Sequence, residues 1–523
     1  MKRFSLAALS LAAAVLAAPA QAQTLKVGII GDPASLNPTR ITGGVWEEDV
    51  LRDLFAGLVE VSKDGQLVPG VATSWDLSED GKTYTFELRE SKWSDGTPLT
   101  ADDFVYAWRY VLDPKNAVNT AHRLYPIANA QAIAKGEQSP DTLGVRSLQD
   151  GKVLEVTLAE PSTYFLSTLV LPVFYPLPRQ AIEAHGNAWS EVDNIVVNGP
   201  FVPTRWIIGS ELNTEKNTHY YDAAAVKIDG VTFFPIEDRD SGITRFRAGD
   251  LDVLRDFPAS QYEFLKQQLP DATRLAPRLG SYYLSFNLRD GRATADPRVR
   301  EALSLAINRE VIASQLLENA VLPLNSFLPT GLSQYTAQTQ AGLDAPYAQR
   351  RERAAALLKE AGYGPDKPLK LGLSFNSGSE HQRIAVAVAA QWKPLGVLAE
   401  LSNTEANVHY ANLRAGDYDV GRAAWLSSYD DPQNFLQLLY TPTNNYGLYR
   451  DDTFNRLYEQ ANLERDPAKR RELLEQAEAR LAEAWPVAPI YEYASRNLVD
   501  PRLEGWEDNS LDIHPSRAVS FRQ

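Results

Sequence analysis

Cysteine is absent from all 523 residues. That excludes thiol catalysis, thiolate metal ligation, disulfide stapling and a lipid-anchored cysteine, so stability must come from burial alone. Methionine is confined to Met1, which removes sulfur oxidation chemistry from the rest of the chain. Histidine is scarce: His122, His185, His219, His381, His409 and His514 stand apart with no i,i+4 pair. No chelating pattern arises, and neither a metal nor any other cofactor is expected. Basic residues are in deficit, 52 against 67 acidic ones, a net charge of -15. Such a balance argues against nucleic acid or anionic lipid as the main partner. No G-x-S-x-G elbow, H-E-x-x-H helix or G-x-x-x-x-G-K-S/T phosphate loop occurs, so an enzyme is not indicated. Acidic pairs such as Glu47-Glu48, Asp102-Asp103 and Asp430-Asp431 read as solvated surface or turn caps. Beyond the N-terminus no long apolar run survives, the richest stretch, Leu166 to Pro178, being broken by Pro172, Pro176 and Pro178.

The N-terminus itself is different. Lys2 and Arg3 precede an apolar run from Phe4 to Pro19, and Ala20-Gln21-Ala22 follows. A charged start, a short apolar centre and a small-residue cleavage site make a secretory signal, with cleavage expected after Ala22. Without Lys2 and Arg3, 50 basic residues would face 67 acidic ones, a net charge of -17. The expected product diffuses freely outside the cytoplasm, which in a Gram-negative cell is the periplasm. Length suggests about three domain-sized units at roughly 150 residues each, and 44% hydrophobic with 23% charged residues is globular composition.

From Thr24 onward, strand-like runs alternate with amphipathic helices, without low complexity or an evident repeat. Thr24 to Ile30 reads as a strand, and Val45 to Leu58 as a helix with Val45, Val50, Leu51, Leu54 and Phe55 on one stripe. Thr83 to Leu88 alternates as a strand, Lys92 to Pro98 has turn chemistry, and a helix begins at Ala101. Asn198 to Phe201 and the pair Tyr220-Tyr221 read as starts of strands, with Gly249 as a helix C-cap. Arg298 to Ile312 is expected to be one helix with Val299, Leu303, Ala306 and Ile307 on its apolar face. Asp466-Pro467 is the N-cap and first-turn pair of a helix carrying Leu473, Leu474, Ala477 and Leu481.

The segment Asp419 to Pro432 reads D-V-G-R-A-A-W-L-S-S-Y-D-D-P. It follows Gly70-Val71-Ala72 through Trp75, Lys92 to Pro98, Asp103 to Trp108, Asn198 to Phe201, Phe246 to Asp252 and Asp296 to Arg300 in order. Together these spaced landmarks resemble the extracytoplasmic peptide-binding family of ABC importers, which includes oligopeptide-, dipeptide- and nickel-binding proteins. The resemblance implies an α/β, periplasmic binding protein-like fold of two lobes, with an appended third domain and a hinge. By analogy, residues 23–55, 177–279 and 494–523 form a discontinuous first domain, 56–176 the appended domain and 280–493 the second lobe. It also implies a monomeric solute-binding subunit without catalysis, closing on a peptide or peptide-like ligand and recognised by an inner-membrane ABC permease.

Binding peptides of varied sequence calls for backbone hydrogen bonds. By the resemblance these come from Ala423, Ala424, Trp425 and Leu426 and from Thr42, Gly43 and Gly44; a core tryptophan and a glycine turn are the plain alternatives. Arg422 matches an arginine that can meet a ligand carboxylate, or is a structural ion-pair residue. His381 matches a histidine used for some ligand C-termini, or lies in a surface loop. Departures gather at the pocket. Ser428 stands where the family has an amine-binding aspartate, Thr42 where a glutamate is common, Ala406 where tryptophan is common, and Gly280 and Leu426 where enteric members have a disulfide. Serine cannot neutralise a buried ammonium. Either Glu47, Glu48, Asp430 or Asp431 compensates, or the ligand lacks a positive N-terminus, or the scaffold holds another solute such as an opine, a glycoside or a metal chelate. A secreted enzyme is the reading from a different class.

Overall fold

Two long strands set the frame of the computed structural model, which describes residues 23–440 and 444–522. Thr273–Phe286 and Val487–Val499 run antiparallel at the centre of an 11-stranded sheet. On one side Val487–Val499 pairs with Val253–Arg255, followed by Thr24–Ile29, Gly230–Pro235, Glu211–Lys216 and Phe201–Ile207. On the other, Thr273–Phe286 pairs with Val420–Leu426, then Leu369–Asn376 and Val397–Thr404. The two central strands therefore belong to both halves. Their register shifts between Pro277 and Ser281 and again between Tyr282 and Tyr283. Proline has no N–H to donate to the ladder, so a break beside Pro277 follows from its chemistry. The expected signal segment, residues 1–22, lies outside the described residues.

Residues 56–176 contain a separate four-stranded sheet, ordered Ala72–Leu77, Thr83–Leu88, Val153–Thr157, Val145–Leu148. Helix Ala101–Leu112 buries Phe104, Ala107, Trp108 and Val111, and Asp103 at its N3 position accepts from the Thr100 N–H at 2.8 Å. Trp108 is fully buried and donates to the Phe174 carbonyl at 3.0 Å. An apolar core joins this unit to the first half of the large sheet, while another, containing Leu303, Leu358, Leu373 and Trp392, fills the second half.

Several sequence expectations hold closely. The Asp466 carboxylate accepts from the Ala468 and Lys469 N–H groups and helix Pro467–Ala484 follows, while Gly249 closes its helix at φ +80°. Three expectations are corrected. Helix Val45–Leu54 stops short of Leu58 because Asn198 captures Ala56 from both sides, accepting its N–H at 3.1 Å and donating to its carbonyl at 2.8 Å. The helix expected over Arg298 to Ile312 ends at Leu305 and resumes over Arg309–Val311. Arg309 causes that break: fully buried, its guanidinium donates to the carbonyls of Ser304, Ile307 and Pro489 and to the Ser304 hydroxyl. Tyr220-Tyr221 lies in a turn after strand Glu211–Lys216 and starts no strand; its Tyr221 hydroxyl is held by Glu60 at 2.9 Å. Each cause lies far away in sequence or in a buried polar side chain, beyond the reach of local periodicity.

Arg309→Leu would leave those buried carbonyls without donors, and is expected to cost about 3 kcal/mol of folding stability in denaturant titration. A loss below about 1 kcal/mol would show that water replaces the guanidinium at no net cost.

Candidate functional site

Strand Val420–Leu426 is paired over its whole length along only one of its edges. It pairs with Thr273–Phe286 over its whole length, from Val420 opposite Phe286 to Leu426 opposite Gly280. With Leu369–Asn376 it pairs only at Val420 and Gly421. Hydrogen-bonded and non-hydrogen-bonded residues alternate along an antiparallel ladder. Ser427 donates back across it to Leu279 at 2.8 Å, so the backbone groups of Ala424 and Leu426 turn toward the other, open edge. The Arg422 carbonyl on that edge is taken by His409 Nε2 at 2.7 Å. Ala424 and Leu426 thus present a short length of strand that is unpaired among the described residues. Gly280 sits opposite Leu426, and a Cβ placed on Gly280 would come within 2.5 Å of the Leu426 side chain.

Arg422 projects from the same strand and is only 6% exposed. Its Nη1 donates to Asn376 Oδ1 at 2.9 Å and to the Tyr410 hydroxyl at 3.0 Å, and its Nη2 to the Tyr493 hydroxyl at 3.0 Å. Its guanidinium carbon lies 4.7 Å from the centre of the Tyr282 ring. Its Nε has no partner, and among the described residues no carboxylate oxygen lies within 4.0 Å of it. The nearby acid Glu380 is committed to Arg496 and to the Tyr491 hydroxyl. A buried cation held by neutral groups alone lacks the counter-charge that usually offsets its desolvation.

Three walls, drawn from separate stretches of the chain, close a cavity of about 410 Å³ over this strand. Ile41, Gly43, Val45 and Glu48 form one wall, and Thr120, Arg123 and Leu171 to Val173 a second. The third is Arg422, Ala424, Trp425, Leu426 and Ser428 with Tyr410 and Tyr493. The Trp425 indole is held by Asn434, which fixes its ring as a flat apolar surface.

Of the residues singled out from sequence, the cavity brings together Gly43, Arg422, Ala424, Trp425, Leu426 and Ser428. Ala423 is fully buried opposite Tyr283, on the core side of the strand. Thr42 is turned away from the cavity: its N–H and hydroxyl both donate to Glu47 Oε2, at 2.8 and 3.0 Å. The Gly43 and Gly44 N–H groups donate to the same oxygen at 3.0 and 3.1 Å, so this turn has already used its donors. Gly43 has φ +101°, with nothing within 4 Å of a Cβ placed there, a conformation that favours glycine beside open space. His381 is not at the cavity wall either. Its ring lies 5.7 Å from that of Tyr282, and burial, with Arg422 nearby, pushes its pKa down to about 3, so it is neutral and cannot serve as a cation.

The four carboxylates considered as substitutes for the amine-binding aspartate divide sharply. Glu47 is consumed by the Thr42 turn, Asp430 accepts from Ser333, and Asp431 is bound by both Nη atoms of Arg470 at 2.9 Å. Glu48 alone of the four reaches the cavity, and it is paired with Arg52. Tyr410, Tyr493, Thr120 and Arg123 line the site without having stood out in the sequence. The tyrosines are apolar by pattern, and Arg123 sits in a short turn some 300 positions before the strand it faces.

A model of the bacterial extracellular solute-binding proteins, family 5, matches residues 66–447. The periplasmic murein peptide-binding protein MppA of Escherichia coli K12 is 37% identical over 506 residues, covering 96% of this chain and 93% of its own. A solved structure of that murein tripeptide binding protein superposes with a TM-score of 0.86, covering 96% of this chain and 99% of the other. The periplasmic oligopeptide-binding protein OppA of Salmonella typhimurium is 36% identical over 493 residues, 93% of this chain and 90% of that protein. The probable deoxycholate-binding periplasmic protein YgiS of E. coli K12 is 35% identical over 480 residues, 91% and 89% of the two chains.

Glu47→Ala strips one acceptor from three backbone N–H groups and a hydroxyl. It is expected to cost about 2 to 3 kcal/mol and to speed amide exchange at residues 42–44 ahead of the rest of the chain. Unchanged exchange there would mean that the turn holds without it.

Proposed function

The chain belongs to the bacterial extracellular solute-binding proteins of family 5, and on that premise we propose that it captures oligopeptides or peptide-like compounds. It is a periplasmic solute-binding subunit of an ABC importer, and the binding, non-catalytic role of the family is its role. The ligand lies in the cavity over Val420–Leu426 and adds itself as a strand to the open edge at Ala424 and Leu426. Its carboxylate replaces the missing counter-ion of Arg422, with Tyr410 and Tyr493 ordering the guanidinium for a bidentate contact. Trp425, Leu426 and Leu171 to Val173 supply apolar walls that accept varied side chains. The buried guanidinium without a carboxylate carries this reading.

The finer assignments follow from the same premise. Cleavage after Ala22 releases the mature chain, residues 56–176 form the appended domain, and the lobes on either side of the Thr273–Phe286 and Val487–Val499 pair close around the ligand for an inner-membrane permease. A second reading has one observation in its favour: a relative of nearly equal identity is named as a probable deoxycholate binder. A carboxylate on a large apolar body suits Arg422 and the apolar walls equally well.

Native mass spectrometry of freshly purified protein identifies the retained solute and separates the two readings. For the proposed one, peptides at 100 times their Kd should stabilise the protein by about 2.7 kcal/mol in a thermal-shift panel. Arg422→Ala is expected to weaken that binding by about 10- to 100-fold, the scale of a charge-assisted pair, while circular dichroism and the unliganded melting temperature stay close to wild type. Collapse of the fold would instead make Arg422 a structural residue.

A further inference from the structure

A second cation without a protein partner among the described residues faces the same cavity. Arg123, from the turn Ala121–Leu124, lines it together with Ser428. Among the described residues its guanidinium makes no ion pair or hydrogen bond to a protein group. Beside it the Thr120 hydroxyl is shielded from solvent and has no partner, a second polar group at that wall with nothing to bind. Ser428, which shares this cavity with Arg123 and Thr120, follows the end of the strand remote from Arg422. The other charges here are already matched, Asp431 with Arg470 and Glu48 with Arg52. The two arginines thus remain free to meet ligand charge.

We propose that Arg123 and Thr120 form an anion subsite beside Ser428, so that the ligand is a linear peptide-like dianion with one negative group on Arg422 and another where an ammonium would otherwise lie. The span from Arg422 to Leu426 is about 13 Å at roughly 3.3 Å per residue, which suits a chain of about three or four residues between the two charges. An ammonium at this end would face Arg123 and find only Glu48, which is shared with Arg52. A blocked neutral end would leave the Arg123 charge unmatched. An acidic acyl cap or an N-terminal acid matches it. This inference rests on the peptide reading and names its substrate class.

Calorimetry with matched tri- to pentapeptide mixtures in free-amine, N-acetyl and N-succinyl form tests it. The N-succinyl set is expected to bind at least ten times more tightly than the free-amine set, with the N-acetyl set between them. Arg123→Gln should remove that advantage, lowering N-succinyl affinity at least tenfold and leaving N-acetyl affinity within threefold. Equal or tighter binding of the free-amine set, lost in Glu48→Gln and unmoved in Arg123→Gln, would overturn the anion subsite and leave the peptide reading standing. Binding of none of the three sets would overturn both.

Discussion

Enclosing a guanidinium away from water costs several kcal/mol unless an anion or a full set of acceptors compensates it. Arg422 has the acceptors in part and the anion not at all: Asn376, Tyr410 and Tyr493 each take one hydrogen bond, and Nε takes none. The surroundings of the site follow from holding that charge in place. Tyr410 comes from a helix and Asn376 from the end of a strand, while Tyr493 lies on Val487–Val499, the strand common to both halves of the large sheet. The cation is therefore tied through Tyr493 to the strand common to both halves of the sheet.

Holding the charge ready is only useful if the neighbouring acids are kept from it. The pattern of carboxylates meets that need. Glu380 goes to Arg496, Asp431 to Arg470, and Glu47 into a closed turn of N–H groups. Each of these acids satisfies a structural demand of its own, leaving Arg422 and Arg123 at the cavity wall without carboxylate partners among the described residues. A serine at position 428 belongs to the same pattern, since an aspartate there would introduce an acid into the cavity that Arg123 lines.

Much of the fold was legible because its signals are local. The Asp466-Pro467 cap, the Gly249 stop and the helix start at Ala101 act within one or two turns of chain, and the structure shows them in place. The landmarks from Gly70 to Pro432 carried the family across the whole chain. Local pattern failed where a distant polar group decided the matter, as when Asn198 ended a helix 142 positions away at Ala56. The site divides in the same way. The strand residues Arg422, Ala424, Trp425 and Leu426 lay in one readable segment and share the cavity. Ala423 went into the core opposite Tyr283, and Glu47, five positions on, withdrew Thr42. Arg123, Tyr410 and Tyr493 carried no sequence signal, since only folding brings three distant stretches together.

A crystal structure of the protein with its retained solute tests the central claim most directly. An anionic ligand group is expected within about 3 Å of Arg422 Nη2 or Nε, the nitrogens with an N–H to spare, with ligand backbone groups bonded to Ala424 or Leu426. A bound ligand that leaves Arg422 with only its tyrosine and asparagine partners, and the strand edge unpaired, would contradict it.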